Sequence, residues 1–418
     1  MKEDSLSAKE AAEALGIRLE TLYAYVSRGQ IRSQKVAGSR RRRYVREDVE
    51  RLVERREVRQ RPERLLDDAL YFGAPLLDSS ITLIQGGRCY YRGRDAVEIS
   101  RQWSFERAAA WLWGPALTEL PAEDLFRGGV PDGLDGLWER TRELKPVERF
   151  QVALPWIASR DPAAWDFRPA AVARTGARLL RALGWLTVGP AAAPTSDTSM
   201  GSDTSMGLAA TLARGWGCGT DAALDLLDAC LVLSMDHELN VSAFTARCVA
   251  SSGSTPYAAV NAAFGALQGT RHGGHTRRVE ALLREAALAS DDRAAGVREA
   301  IAGRLQRGET VPGYGQPLYP NGDPRCRELL RRVEEGWPES AATAEGRALE
   351  RVGLELLGEH VALDVGLVVA SRALDLSDDA ALTLFALGRT AGWIGHIFEQ
   401  YADPRLIRPR ARYVGEPV

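Results

Sequence analysis

Apolar residues recur at three- and four-residue spacing through most of the chain, and this pattern limits the fold more than any other feature. Ser104 to Trp113, Ala170 to Leu183, Asp221 to Ser234 and Ala380 to Leu387 each gather alanine and leucine on one face of a 3.6-residue repeat. The body is therefore expected to be all-α. One interruption is Ser80 to Arg92, SITLIQGGRCYYR, whose alternation about Gly86-Gly87 predicts a small antiparallel ribbon. With 418 residues, 45% of them apolar and 26% charged, the chain has the usage of an ordinary globular protein of two or three domains. No apolar run reaches the roughly 18 residues of a membrane span, and the best stretch, Val361 to Ala370, is broken by Asp364. The polar segment Met1 to Glu10 is unlike a secretory or transit leader, so a cytoplasmic protein with no membrane partner is expected. Cys89, Cys218, Cys230, Cys248 and Cys326 form no pair at zinc or redox spacing; they read as buried thiols, and no metal site is expected.

Charge is unevenly divided. Met1 to Arg61 carries 16 Lys and Arg against 10 Asp and Glu, whereas the remainder carries 38 against 46. A small basic module joined to an acidic body points to a polyanion partner for the first and a separate task for the second. Within the module, Ser7 and Glu10 form a capping box that starts a helix, and Ala11, Ala12 and Leu15 give it an apolar stripe ended by Gly16. A second helix is expected over Leu19 to Ser27, with Leu22 and Val26 on its buried face. Ile31 to Val36 and Arg40 to Val45 then read as a hairpin, followed by a helix from Glu47 to about Arg59. The boundary falls in the Pro62-containing cluster between Gln60 and Leu65, which gives a module over residues 1–60 and a body over 63–418. A tandem SDTSMG repeat at 196–207 lacks an apolar face and reads as a surface loop.

These residues, SAKEAAEALGIRLETLYAYVSRGQIRS with GSRRRRYVREDVERL, resemble the winged helix-turn-helix of the MerR and excisionase families. The resemblance implies that Thr21, Tyr23 and Arg28 face the major groove and that Arg40, Arg41, Arg42 and Arg43 grip phosphates, with DNA as a partner. A dimerisation or docking element that kept this fold without the function is the alternative.

Only five histidines occur, at 237, 272, 275, 360 and 396. His237, in MDHELN at the end of an apolar helix, suits a core or capping role as well as a ligand-binding one. His272, in GTRHGG, sits among glycines that let a backbone approach a ligand closely. The stretch VPGYGQPLYPNGDPR, from Val311 to Arg325, is too polar and kinked for a helix. Asp364, inside an apolar run, is costly there unless it is paired or functional.

Six ordered segments, ITLIQGGRCYYRGRDAVEIS, LSMDHELNVSAFTARCVAS, GALQGTRHGG, VPGYGQPLYPNGDPR, HVALDVGL and GRTAGWIGHIFEQY with IRPRARYVG, resemble the citrate synthase family from about Asp78 to Val418. The resemblance implies a citrate synthase fold: a large helical domain, about 63–275 and 376–418, and a small mobile one, about 276–375, with the active site in their cleft. It implies a homodimer that condenses acetyl-CoA with oxaloacetate, acetyl-CoA serving as co-substrate with no permanently bound cofactor. Asp364 would be the base that takes the methyl proton, and His272 the neutral donor to the developing enolate. His237, Arg325, Arg389 and Arg408 would bind the 2-oxoacid, Arg408 across the subunit interface, while the backbone around Val311, Gly313 and Gly315 would recognise the adenine of CoA.

Three positions depart from that pattern. Gln316 stands where the family has a ketone-polarising histidine; its amide donates a hydrogen bond but delivers no proton. His275 replaces a small residue and is a candidate substitute donor, and Ala362 replaces an asparagine two residues before Asp364. Two readings follow: an active synthase using Gln316 as donor, or a DNA-binding regulator whose body senses oxaloacetate, citrate or acyl-CoA without turnover.

Overall fold

The computed structural model describes residues 5–17, 22, 25–26, 31–35, 42–46, 48–49, 77–114, 121–192, 206–411 and 413–416. Thr21, Tyr23, Arg28, Arg40 and Arg41, most of the second and third helices expected in the module, the 60–65 boundary and most of the SDTSMG repeat lie outside them. The chain divides into two compact units, Met1–Asp78 and Ser79–Val418.

In the first unit, β1 (Ser5–Ser7) leads into α1 (Ala8–Leu15). The capping box is present: Ser7 Oγ accepts from Glu10 N at 3.3 Å and Glu10 Oε2 accepts from Ser7 N at 2.7 Å. Strands β2 (Ser33–Lys35) and β3 (Arg42–Val45) form the expected hairpin, with Ser33 opposite Tyr44. The structure adds a third strand, because β1 pairs with the other edge of β3 and turns Leu6 inward opposite Tyr44. Leu6, Ala11, Ala12, Leu15, Leu22, Ile31, Tyr44 and Val49 make the small core. Beside it, buried Asp48 holds Arg32 through the backbone N–H (2.8 Å), Nε (2.8 Å) and Nη2 (2.9 Å). Arg42 and Arg43 both lie on β3, Arg42 exposed.

The second unit opens with an antiparallel sheet, β4 (Thr82–Gln85), β5 (Arg88–Tyr91) and β6 (Arg94–Asp95), turning at Gly86-Gly87 as expected and gaining one short strand. Helices follow: α2 (Ala96–Gln102), α3 (Phe105–Trp113), α4 (Ala122–Phe126), α5 (Leu134–Thr141), α6 (Pro146–Ala158) and α7 (Pro169–Val188). After these come α8 (Leu208–Trp216), α9 (Asp221–Ser234), α10 (Val241–Ser251), α11 (Pro256–Leu267), α12 (His275–Ala289) and α13 (Arg293–Gln306). The last four are α14 (Pro324–Gly336), α15 (Ala341–Leu357), α16 (Leu363–Ala373) and α17 (Ala380–Ala402). No helix among the described residues is long and apolar enough to cross a membrane.

Helix α17 is apolar on nearly all sides because it runs through the middle of the unit, against α3, α7, α9, α10 and α16. Its approach to the end of α9 is backbone-close: a Cβ at Gly392 would come within 2.1 Å of Met235 O. That contact fixes Arg389, one turn earlier on α17, against the segment that carries His237. Helices α12 to α16 pack among themselves, α12 on α13, α13 on α15 and α14 on α16. Cys89, Cys230 and Cys326 are buried, but Cys218 and Cys248 are only half-buried; Cys218 follows the C-terminus of α8 and Cys248 is on α10, two places where part of the surface stays wet.

Candidate active site

Four segments converge: the end of α9 with the loop to α10, the glycine turn before α12, the stretch 311–325, and the first turn of α16. Each brings one chemistry-bearing side chain.

His237 follows α9, with Nε2 buried and without a hydrogen-bond partner. Burial, reinforced by Arg325, Arg389 and His272, holds its pKa well below the usual histidine range, so the ring is neutral. The preceding residue, Asp236, anchors the segment: it accepts from Thr82 Oγ1 at 2.6 Å and lies 3.1 Å from His396 Nε2. Burial pushes the Asp236 carboxyl up, but His396, Arg389 and Thr82 together hold it below the ordinary aspartate value.

His272 Nε2 lies 2.8 Å from Ser242 Oγ. Ser242 Oγ accepts from the Trp393 indole at 3.0 Å and donates to Asn240 Oδ1 at 2.7 Å. Asn240 caps α10, where its Oδ1 also accepts from Ser242 N (3.1 Å) and Ala243 N (3.2 Å). Burial, with Arg389 and His275, pushes His272 down to about 4, so the imidazole is neutral at physiological pH.

Arg325, at the start of α14, is buried and gripped by Asp323, which accepts from its N (3.0 Å), Nε (3.0 Å) and Nη2 (2.8 Å). Its Nη1 has no partner among the described residues. The same carboxylate accepts from Leu363 N at 3.3 Å, across to the first residue of α16. Ala362, the residue before that helix, has no side chain able to cap it, and Asp323 satisfies one orphan amide in its place. One carboxylate thus fixes Arg325 relative to Asp364, the second residue of α16. Asp364 is half-buried; burial raises its pKa, opposed by His275 and Arg325. Arg389 is buried, donates Nε to Ser234 O at 2.8 Å and lies over the Phe385 ring at 4.5 Å. His272 packs edge-on against the same ring.

The stretch 311–315 is tied to the approach to α16: Ala362 N donates to Gly313 O at 2.8 Å and Gly315 N to His360 O at 3.3 Å. Gly313 has φ +91°, and a Cβ there would meet Val365 at 2.6 Å. These two bonds commit the Gly313 carbonyl and the Gly315 amide to shaping the loop. Val311 stays half-buried beside them. Gln316 is half-buried and its Oε1 accepts weakly from Leu318 N at 3.5 Å. His275 is the first residue of α12, its N–H bonded to His272 O at 3.1 Å. Arg408 is exposed on the segment after α17, and no bond among the described residues joins it to the cluster.

The spacing of single residues could not reveal Ser242, Trp393, Asp323 or Tyr319. Asp323 before Pro324 was readable as a helix start, but its second bond, to Leu363, spans 40 residues. The arrangement offers a half-buried carboxylate of raised pKa, two neutral imidazoles and two buried guanidinium groups: a proton acceptor and donors beside a site for a small dianion. Two open cavities, about 240 Å³ beside β5 and α2 and about 390 Å³ between α6 and α11, lie elsewhere.

Residues 70–410 match the family described as citrate synthase, C-terminal domain, and residues 5–57 match a helix-turn-helix domain. A citrate synthase of Haloferax volcanii is 30% identical over 364 residues, covering 82% of this chain and 94% of its own. Among solved structures, citrate synthase from Pyrobaculum aerophilum is 22% identical, with 82% of this chain and 92% of that one covered at a TM-score of 0.69. Citrate synthase from Thermoplasma acidophilum, solved as a ternary complex with carboxymethyl coenzyme A and oxaloacetate, is 22% identical, with 82% and 95% covered and a TM-score of 0.66. These two likenesses show a shared fold.

Proposed function

The chain belongs to the citrate synthase family, and from that premise we propose that it condenses acetyl-CoA with oxaloacetate or a related 2-oxoacid, giving citrate or its homologue and CoA. The observation that carries this reading is the meeting of Asp364, His272, His237, Arg325 and Arg389 around buried polar atoms without partners. Asp364 removes a methyl proton from the acetyl group. The neutral His272 ring donates an N–H to the thioester oxygen as negative charge develops there, and it does so without yielding its own proton. The enolate carbon attacks the ketone of the 2-oxoacid, whose carboxylates are held by Arg325, Arg389 and His237. Gln316 polarises the ketone through its amide, and the alkoxide takes its proton from water. Water then cleaves the citryl thioester and releases CoA.

The backbone of Val311 to Gly315 would receive the adenine of CoA. Closure of the helices α12 to α16 over the rest would exclude water from the enolate. Exposure of Arg408 in a single subunit supports a homodimer in which it completes the partner's site. The test is thiol release from acetyl-CoA with oxaloacetate and with several other 2-oxoacids. Release that disappears in Asp364→Ala supports a synthase; release with none of them, by the parent or by Gln316→His, refutes it.

A second reading rests on the helix-turn-helix match at residues 5–57 and on Arg42 and Arg43 on β3. Here the body binds a 2-oxoacid or acyl-CoA and the module binds DNA, with ligand shifting its affinity. Release that appears only in Gln316→His favours this regulator. Absence of duplex DNA binding at low salt, with and without oxaloacetate, removes it.

A further inference from the structure

Tyr319 is the fourth residue of the turn that starts at Gln316, its N–H donating to Gln316 O at 2.9 Å. The side chain is 2% exposed. Its ring lies 5.6 Å from the ring of His237, and the Arg325 guanidinium carbon sits 5.3 Å from its centroid. Among the described residues the hydroxyl has no oxygen or nitrogen partner, and His237 Nε2 and Arg325 Nη1 have no partner. The Tyr319 and His237 rings and the Arg325 guanidinium thus lie together, each carrying a buried polar atom without an oxygen or nitrogen to bond. Stranding even one is unfavourable, because it loses water and gains nothing in exchange.

On the ribbon, the Cys89 sulfur of β5 accepts from the hydroxyl, but burial pushes its thiol up to about 12, and a neutral thiol is a weak acceptor. Burial likewise keeps the phenol protonated, so it remains a donor. A phenylalanine would fill the same space without stranding an oxygen. A stronger partner for the phenol is a small acceptor, negatively charged to suit Arg325.

Building on the synthase reading, we propose that the Tyr319 hydroxyl is a substrate-binding donor to the 2-oxoacid carboxylate that Arg325 and His237 hold. The turn 316–319 then presents two neutral donors to one substrate, the Gln316 amide to the ketone and the Tyr319 phenol to the adjoining carboxylate. Recognition is concentrated on that carboxylate, so a monocarboxylate lacking it binds poorly.

The experiment is calorimetric titration of oxaloacetate into the full chain, for the parent and for Tyr319→Phe, with the melting temperature of each ligand-free protein. The expected result is a Kd raised about tenfold or more in Tyr319→Phe, a loss of the size of one hydrogen bond to a charged group, with a ligand-free melting temperature equal to or above that of the parent. A Kd within twofold of the parent overturns the proposal. So does a lower ligand-free melting temperature, which would mean that the hydroxyl is spent on the fold. If the parent itself fails to bind oxaloacetate, this proposal is overturned, while the synthase reading is decided separately by thiol release with the other 2-oxoacids.

Discussion

Replacing Asp323 by alanine should cost more than removing any surface acid, and the structure sets the scale. The side chain is 3% exposed and accepts four hydrogen bonds, three from Arg325 and one from Leu363 N. Without it, a buried guanidinium already lacking a partner at Nη1 loses its counter-charge, a situation that typically costs about 3–5 kcal/mol. Loss of the α14 cap acts in the same direction, and because both effects share one group a combined loss of about 4 kcal/mol is expected. For a unit of roughly 340 residues the unfolding entropy is near 0.7 kcal/mol/K, so the melting temperature should fall by about 6 °C. Melting followed by circular dichroism at matched scan rates measures this. Asp323→Asn keeps the cap acceptor and loses only the charge, so it should fall about half as far. The decisive comparison is Asp323→Ala with Arg325→Met, which removes the stranded charge as well. It should be more stable than Asp323→Ala alone. A double variant as unstable as the sum of its singles would refute the reasoning that an uncompensated guanidinium carries the cost.

Other consequences can be measured separately. Burial raises the Asp364 pKa in the folded state, so the native protein holds a proton more tightly than the unfolded chain, and this residue's contribution to stability declines as pH rises above about 4. Asp364→Asn should therefore abolish thiol release yet melt higher than the parent at pH 7, the gap closing toward pH 4; a gap independent of pH contradicts the assignment. Ser242→Ala removes the group that orients His272, and kcat should drop about 10- to 100-fold with little change in oxaloacetate affinity; an unchanged kcat means that the serine does not hold the ring in place. If Arg408 serves the partner's site, Asp364→Ala and Arg408→Ala subunits, each inactive alone, should recover about a quarter of parental activity when refolded together, since half the dimers are mixed and half their sites are whole. No recovery on mixing places Arg408 outside the neighbouring site.

Local chemistry made much of this protein readable in its sequence. The Ser7 and Glu10 box, the Gly86-Gly87 turn and the start of α9 at Asp221 each depend on residues within a few positions of one another, so the chain writes them directly. His272 stood out in its glycine-rich turn, and Asp364 as a carboxylate inside an apolar run, whereas the roles of His237, Arg325 and Arg389 came from the family resemblance, Arg389 lying in the middle of α17. Pairings between distant segments were not. The strand Ser5–Ser7 joins β3 only because folding brings its edge within reach. Ser242 reaches His272 from 30 residues away, and Asp323 caps a helix 40 residues further on. Tyr319 was one aromatic residue among many until its ring proved to be buried against His237 and Arg325. Residue identity and spacing fix which groups are present and which local elements they start. Which carboxylate holds which arginine and which rings are buried together depend on contacts made across the chain, and only the tertiary structure decides them.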